Sequence, residues 1–464
     1  MKRYDIYPHR GGGNPPHGIQ PTAAPTASTR VYSGAGRQRV RRGAFAHAGE
    51  GLAAIRMGGF VCEWGSEQVA ALKDLVIVVG DNSKNVSYIY IMKRQLIEKR
   101  PDWENIVLTQ GMTYAQGYWN EGVYYEFSQN EISQIRLATN NIKTMTWRTL
   151  DHIINGNLIY EYGIPYEAIP VIRQSWRNNE PAIYRRYDLA FDGNIPKLLG
   201  FRGDSTLNLL EASLIQIYWR DDMFPANPQY NNIHSLLVER WDHIYNQMKG
   251  KYVHFACVDN PEDIANAIYL SDTADEVGLT VKTVLLQDIG SDDTYFLDGD
   301  NDNIISIYKL FPWNQLIESE FGLSTLARYQ DMNWLEPIWR LISSNKAFLA
   351  VMWDMFEGDP YLLECTLDLN DLKSISYVKK PLYSQGGKNI TISNEVNFFD
   401  TKTTEDVNTK YIYQEYAQLP IFDGQYPIIS SWVVGDVNAG ISIREGSIIT
   451  TDDTCKFTPH IITT

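Results

Sequence analysis

The order of the periodic segments constrains this chain most: helical periods come first and short strand-like runs come last. Between residues 129 and 157 apolar side chains recur at helical spacing (Ile132, Ile135, Leu137, Ile142, Met145, Leu150, Ile153), which predicts an amphipathic helix. Arg185–Phe201 predicts two strands joined by a turn at Asp192, Gly193 and Asn194. Asn208–Asp222 predicts a helix with Asp204 or Ser205 as its cap. His234–Met248 and Pro261–Val277 predict two more, the latter opening on Pro-Glu-Asp, which suits a helix N-terminus. Trp334–Met355 predicts one long aromatic-rich helix. Beyond it the runs ISYVKKPL, KNITIS, TKYIYQEY, YPIISSWVVGD and AGISIREGSIIT predict short strands. No internal repeat of fixed period is present. Helices followed by an antiparallel, strand-rich end predict an α+β fold with more than one lobe.

The N-terminal fifth has a different texture. Residues 9–58 are rich in Gly, Pro, Ala and Arg and have no sustained period, so they bury too little surface to offset their ordering entropy. Residues 1–91 carry eleven Lys/Arg against six Asp/Glu, a net of +5 that leaves −20 for the remainder. The Arg37–Arg42 cluster fits an address signal or an anionic contact, and a disordered leader explains it as well. Residues 70–93 have room for one or two strands, and MKRQLIEKRPDW, from Met92, resembles a protein start. We therefore expect a basic, low-complexity extension over 1–91 and a functional unit over 92–464.

Composition excludes several classes. The formal charge of −15 argues against a broad nucleic-acid footprint. Cys62, Cys257, Cys365 and Cys455 are too scattered for a disulfide scaffold or a CxxC zinc site. No run approaches the roughly 20 apolar residues of a membrane helix, and residues 1–30 lack the apolar core of a secretory signal. The expectation is a cytoplasmic protein with neither nucleic acid nor membrane as partner.

Chemistry concentrates in four places. Arg186 and Asp188 alternate onto one face of a hairpin. A guanidinium beside a carboxylate can hold an acyl or phosphoryl oxygen together with a divalent metal, although taken alone such a pair is more often a cross-strand ion pair. Lys346 and Lys380, with the glycine-containing stretch SQGGKN (Ser384–Asn389), fit a phosphate site or a flexible hairpin with solvated lysines, and spacing does not choose. This is no Walker loop, because GGKN lacks the first glycine and the Ser/Thr. The run IYQE ends a strand at Gln414 and Glu415, just before Leu419-Pro420, where backbone groups can read an adenine edge. In GISIREG, Arg444 and Glu445 alternate, so only one faces a site. His152, His234, His254 and His460 have no ligand spacing.

Taken together, these segments resemble the glutathionylspermidine synthase family of C–N ligases, in its stand-alone branch without an amidase domain. The ordered matches are MKRQLIEKRPDW, YWNEGVYYEF, Arg186-Tyr-Asp188 through LLEA (Leu209–Ala212), VHFA, PED, YKLFPW, WLEPIW, SNKAFLAVMW, YVKKPL, YQE, WVVG, GISIRE and FTPHII, spanning residues 92–464. The resemblance implies an ATP-grasp-type fold preceded by a pre-ATP-grasp-like α/β region, with a substrate and metal region over 92–330 and nucleotide-binding lobes over 331–464. It implies ATP and Mg2+ as cofactors, and a small-molecule carboxylate and a peptide or polyamine-like amine as partners joined through an acyl phosphate. By the same resemblance Arg186 and Arg444 are catalytic, Asp188 is the metal ligand, and Lys346, Lys380, Ser384, Gln385, Gly386, Gly387, Gln414 and Glu415 bind the nucleotide. Ser205, Glu262 and Asp263 are the implied substrate-binding residues.

The departures are as informative. The family pattern near KLLEYNADTPT reads KLLGFRGDSTL here, so Gly200 and Arg202 occupy the implied metal-ligand positions. SREGAN becomes SQGGKN, losing its Arg and Glu within Gln385–Gly387, and Asn314 replaces the acid of PWEW. Two functions follow as expectations: a carboxylate–amine ligase with weakened metal-dependent turnover, or a catalytically silent ATP-grasp-like scaffold with a nucleotide-binding, structural or regulatory role.

Overall fold

The computed structural model describes residues 92–292, 294–384, 387, 389–394, 398–400, 410–447 and 454–463, and the backbone of four short strands before them. The chain divides between Leu75 and Val76 into two units. In the first, Leu52–Met57 pairs antiparallel with Phe60–Gly65. Most of residues 9–58, predicted to lack regular structure, lie outside the described residues. The second unit opens with the hairpin Ile77–Gly80 and Val86–Ile89, within the stretch predicted to hold strands.

The second unit is α+β, as its segment order predicts. Its central sheet is antiparallel and five-stranded, in the order Lys456–Thr458, Val437–Gly446, Tyr426–Val434, Tyr184–Ala190, Lys197–Arg202. The last two are the predicted hairpin. One face is covered by the helix Gln129–Asn155, whose start is fixed by a capping box between Ser128 and Glu131. The helix buries Ile132, Ile135, Ile142, Leu150 and Ile153, and Thr139 bonds Ser431 of the sheet at 2.7 Å. A second, parallel sheet runs Thr280–Leu285, Tyr252–Cys257, Ser306–Lys309, Asn333–Leu335. A third, antiparallel and five-stranded, contains Tyr377–Pro381 and Tyr411–Glu415. His460–Thr463 pairs in parallel with Val123–Ser128.

Two expectations are corrected. Trp334–Met355 is not one helix: Asn333–Leu335 is a strand, and short helices follow over Arg340–Ser344 and Ala347–Met355. Pro337 disfavours helical backbone at Glu336, whose carboxylate instead accepts the Ile183 and Tyr184 N–H groups at 2.8 and 3.0 Å and pairs with Arg340 at 3.1 Å. Neither Asp204 nor Ser205 caps the helix after Asn208. Asn266 does so from another helix, its Oδ1 accepting the Leu209 and Leu210 N–H groups at 2.7 and 3.3 Å. The first turns there are a π-helix over Glu211–Ile215, leading into Gln216–Met223.

Candidate functional site

A cleft of about 990 Å³ opens where the central sheet faces the third sheet. Its cationic half is set by strand register. Alternation along Tyr184–Ala190 turns Arg186 and Asp188 to one side, and Arg202 stands opposite Arg186 with Gly200 opposite Asp188. Arg444 comes from Val437–Gly446 and also lines the cleft. Glu445 goes to the other face, where Arg94 and the Tyr125 hydroxyl hold it. Lys380 enters from Tyr377–Pro381, and Lys346 immediately precedes the helix Ala347–Met355.

These cations are crowded and poorly solvated. Burial pushes the Lys380 ammonium down to about 8. Burial, with Arg202 and Lys380 nearby, also holds Lys346 well below the usual lysine range. Arg202 is pushed down to about 10 by burial and by the charges of Arg186 and Arg444. Lys380 donates to Leu199 O at 2.8 Å and Gln414 Oε1 at 2.6 Å, while Lys346 donates to the carbonyl and hydroxyl of Ser384 at 2.9 and 2.8 Å. Each ammonium has a third N–H. An anion in the cleft would hold both lysines protonated, so binding takes up protons. Affinity for a polyphosphate is therefore expected to be greatest below pH 8. Through Lys380 it should fall by up to about tenfold per pH unit above that. Calorimetric titration from pH 6.5 to 9.5 checks this, and a flat profile would remove Lys380 from the site.

Asp188 is fully engaged. Arg186 donates to its two oxygens at 2.8 and 3.2 Å, Ser430 adds a bond at 2.8 Å, and the Arg202 Nε lies 3.6 Å away. These guanidiniums outweigh the cost of burial and keep the carboxyl below its usual range. Magnesium requires an open set of oxygen ligands at about 2.0–2.1 Å. Gly200 offers none, and among the described residues no three His, Cys, Asp or Glu side chains gather as a metal site. A cation here would also meet two guanidiniums, at about 4 kcal/mol per pair of unit charges 4 Å apart. The residues present do not fit magnesium.

The remaining candidates divide between the cleft and its walls. Gln414 is buried, its Oε1 taken by Lys380 and its amide bonded to Leu198 O. Glu415 exchanges bonds with the backbone of Glu364. The wall of the cleft is formed by the next residues, Tyr416 and Ala417, with Val378, Ile392, Leu419 and Ile428 around them, an apolar surface that suits a base. Ser384 and Gly387 line the cleft, whereas Gln385 and Gly386 lie outside the described residues. Ser205 lines it in a left-handed conformation, φ 48°.

Acidic residues line the same cleft. Glu262 and Asp263 open the helix Pro261–Asp275, which is capped by Asn260. Burial and Glu262 push Asp263 up to about 6. Behind them lies Glu211, which sequence reasoning missed. It is wholly buried, with the hydroxyls of Tyr114 and Tyr118 beside it. Burial and the neighbouring Glu262 push it up to about 7. Asn208 bridges the cationic and acidic groups: its Oδ1 accepts from Arg186 at 2.9 Å and its amide donates to Glu262 at 2.8 Å and Tyr118 at 2.6 Å. The glutamate of LLEA was visible as a residue, but its placement needed the π-turn.

Fold and cleft together define a protein that sets concentrated positive charge and carboxylates on the walls of one cavity. The chain belongs to the family described as glutathionylspermidine synthase preATP-grasp, whose profile matches residues 94–463. It is 33% identical over 384 residues to a Haemophilus influenzae protein named "Putative acid–amine ligase", covering 78% of this chain and 97% of that one. It is 28% identical to the trypanothione synthetase of Crithidia fasciculata, over 62% of this chain and 49% of that protein. It is 24% identical to the bifunctional glutathionylspermidine synthetase/amidase of Escherichia coli, over 75% and 60% respectively. The chain thus spans about half to three fifths of the two larger relatives.

Proposed function

We propose that this chain is an ATP-dependent carboxylate–amine ligase acting in the cytoplasm on a small-molecule carboxylate and an amine. One observation carries the reading: a single cleft is lined by Arg186, Arg202, Arg444, Lys346 and Lys380 and also by Glu262 and Asp263. Cations of that number suit a triphosphate, the apolar wall suits its base, and the carboxylates suit an ammonium. The bond from the terminal phosphorus to its bridging oxygen would break as a substrate carboxylate oxygen bonds to phosphorus. The amine nitrogen, unprotonated, would then attack the acyl carbon, phosphate would leave, and the proton released would pass to Glu262, which lines the cleft, and on toward Glu211 behind it, whose carboxyl burial pushes up to about 7. Arg186, Arg202 and Arg444 would stabilise the spreading negative charge.

The engagement of Asp188 favours a second reading, a scaffold that binds nucleotide without turnover. ADP release from ATP, measured with glutathione and spermidine and then with other peptides and polyamines, separates the two. Amine-dependent release that Glu211→Gln lowers at least tenfold supports ligation. A nucleotide-induced thermal shift without any ADP supports the scaffold, and absence of both sinks the nucleotide reading.

A further inference from the structure

We propose that the cleft binds its triphosphate without a divalent cation, the Arg202 guanidinium supplying charge that a metal ion would otherwise bring. The proposal rests on the nucleotide reading of the cleft and deepens it. Opposite strand positions carry the argument. Arg202 faces Arg186 across the hairpin and reaches the same carboxylate, while Gly200, facing Asp188, brings no oxygen. Asp188 therefore serves as a hub for two guanidiniums and the Ser430 hydroxyl.

Charge matching points the same way. Arg186 and Asp188 offset each other, while Arg202, Arg444, Lys346 and Lys380 line the same cavity. This cluster of cations suits a free triphosphate, with about four negative charges at neutral pH, better than its magnesium complex, with about two. The arrangement is also reversible on paper: a Cβ at Gly200 would meet nothing within 4 Å, so a glutamate can be placed there without a clash at its first carbon.

The experiment is calorimetric titration of the full chain with a non-hydrolysable ATP analogue and, separately, inorganic tripolyphosphate. Each is run in EDTA and in excess magnesium. The proposal expects affinity in EDTA equal to or greater than that in magnesium for both ligands. Binding at least tenfold tighter with magnesium would overturn it and leave the nucleotide reading standing. Absence of binding in either buffer would overturn both. Arg202→Gln should weaken the EDTA titration at least tenfold and the magnesium titration less. Gly200→Glu with Arg202→Asn should invert the preference toward magnesium. The titrations of the unaltered chain decide the matter even if a variant fails to fold.

Discussion

Asp204→Ala is expected to lower the unfolding free energy by about 3–5 kcal/mol, read as a shift in urea midpoint. Asp204 lies in the cleft floor, with both oxygens used: Lys309 Nζ at 2.5 Å and the Trp313 N–H at 2.7 Å. Both side chains of the ion pair are about 1% exposed. Burial alone drives the Lys309 ammonium downward, Asp204 supports it, and the ring of Trp313 lies 4.4 Å from the nitrogen. Removing the carboxylate strands a buried charge and an unpaired backbone donor, which costs more than the pair itself is worth. Lys309→Met in the same background should recover a large part of the loss. A cost below about 1 kcal/mol would mean that water reaches Lys309 and that the floor is looser than its burial indicates.

The second large effect concerns ligand binding. Arg186→Ala should weaken triphosphate binding by about 100-fold or more, roughly 2.7 kcal/mol. The guanidinium holds Asp188, donates to Asn208 and the Leu207 carbonyl, and lies 5.5 Å from the Trp432 ring. Without it Asp188 is answered by Arg202 alone, so the cleft loses one cation and half-neutralises a second. Asp188→Ala should do the reverse and tighten anion binding several-fold, because it releases both guanidiniums toward the ligand. That sign is diagnostic, since removing a magnesium ligand would weaken binding. Titration of both single variants and the double variant gives the coupling directly. Weaker binding by Asp188→Ala would refute our account of that carboxylate.

Much of this molecule was legible in the chain, for identifiable reasons. The long helix from Gln129 and the hairpin containing Arg186 announced themselves because each buries a single face, which imposes a period on the residues. Alternation also separated Arg444 from Glu445 across their strand. The Trp334–Met355 stretch misled because it is buried nearly all round, and a run without a polar face has no period to read. Pro337 was the available signal for its interruption. Asn266 as a cap was invisible, because the helix it caps lies more than fifty residues away in sequence. Glu211 stayed hidden for a similar reason: a π-turn shifts phase by one residue, and nothing in LLEA marks it.

The central sheet has one further consequence. The strand bearing Arg186 and Asp188 lies between Lys197–Arg202, its immediate successor, and Tyr426–Val434, made more than two hundred residues later. His460–Thr463 then closes against Val123–Ser128. On the ribosome, the early hairpin must wait with one edge bare while most of the polypeptide is still being made. Such an edge invites pairing with other nascent chains. Co-translational chaperone capture is thus expected to matter more for this protein's yield than its final stability does.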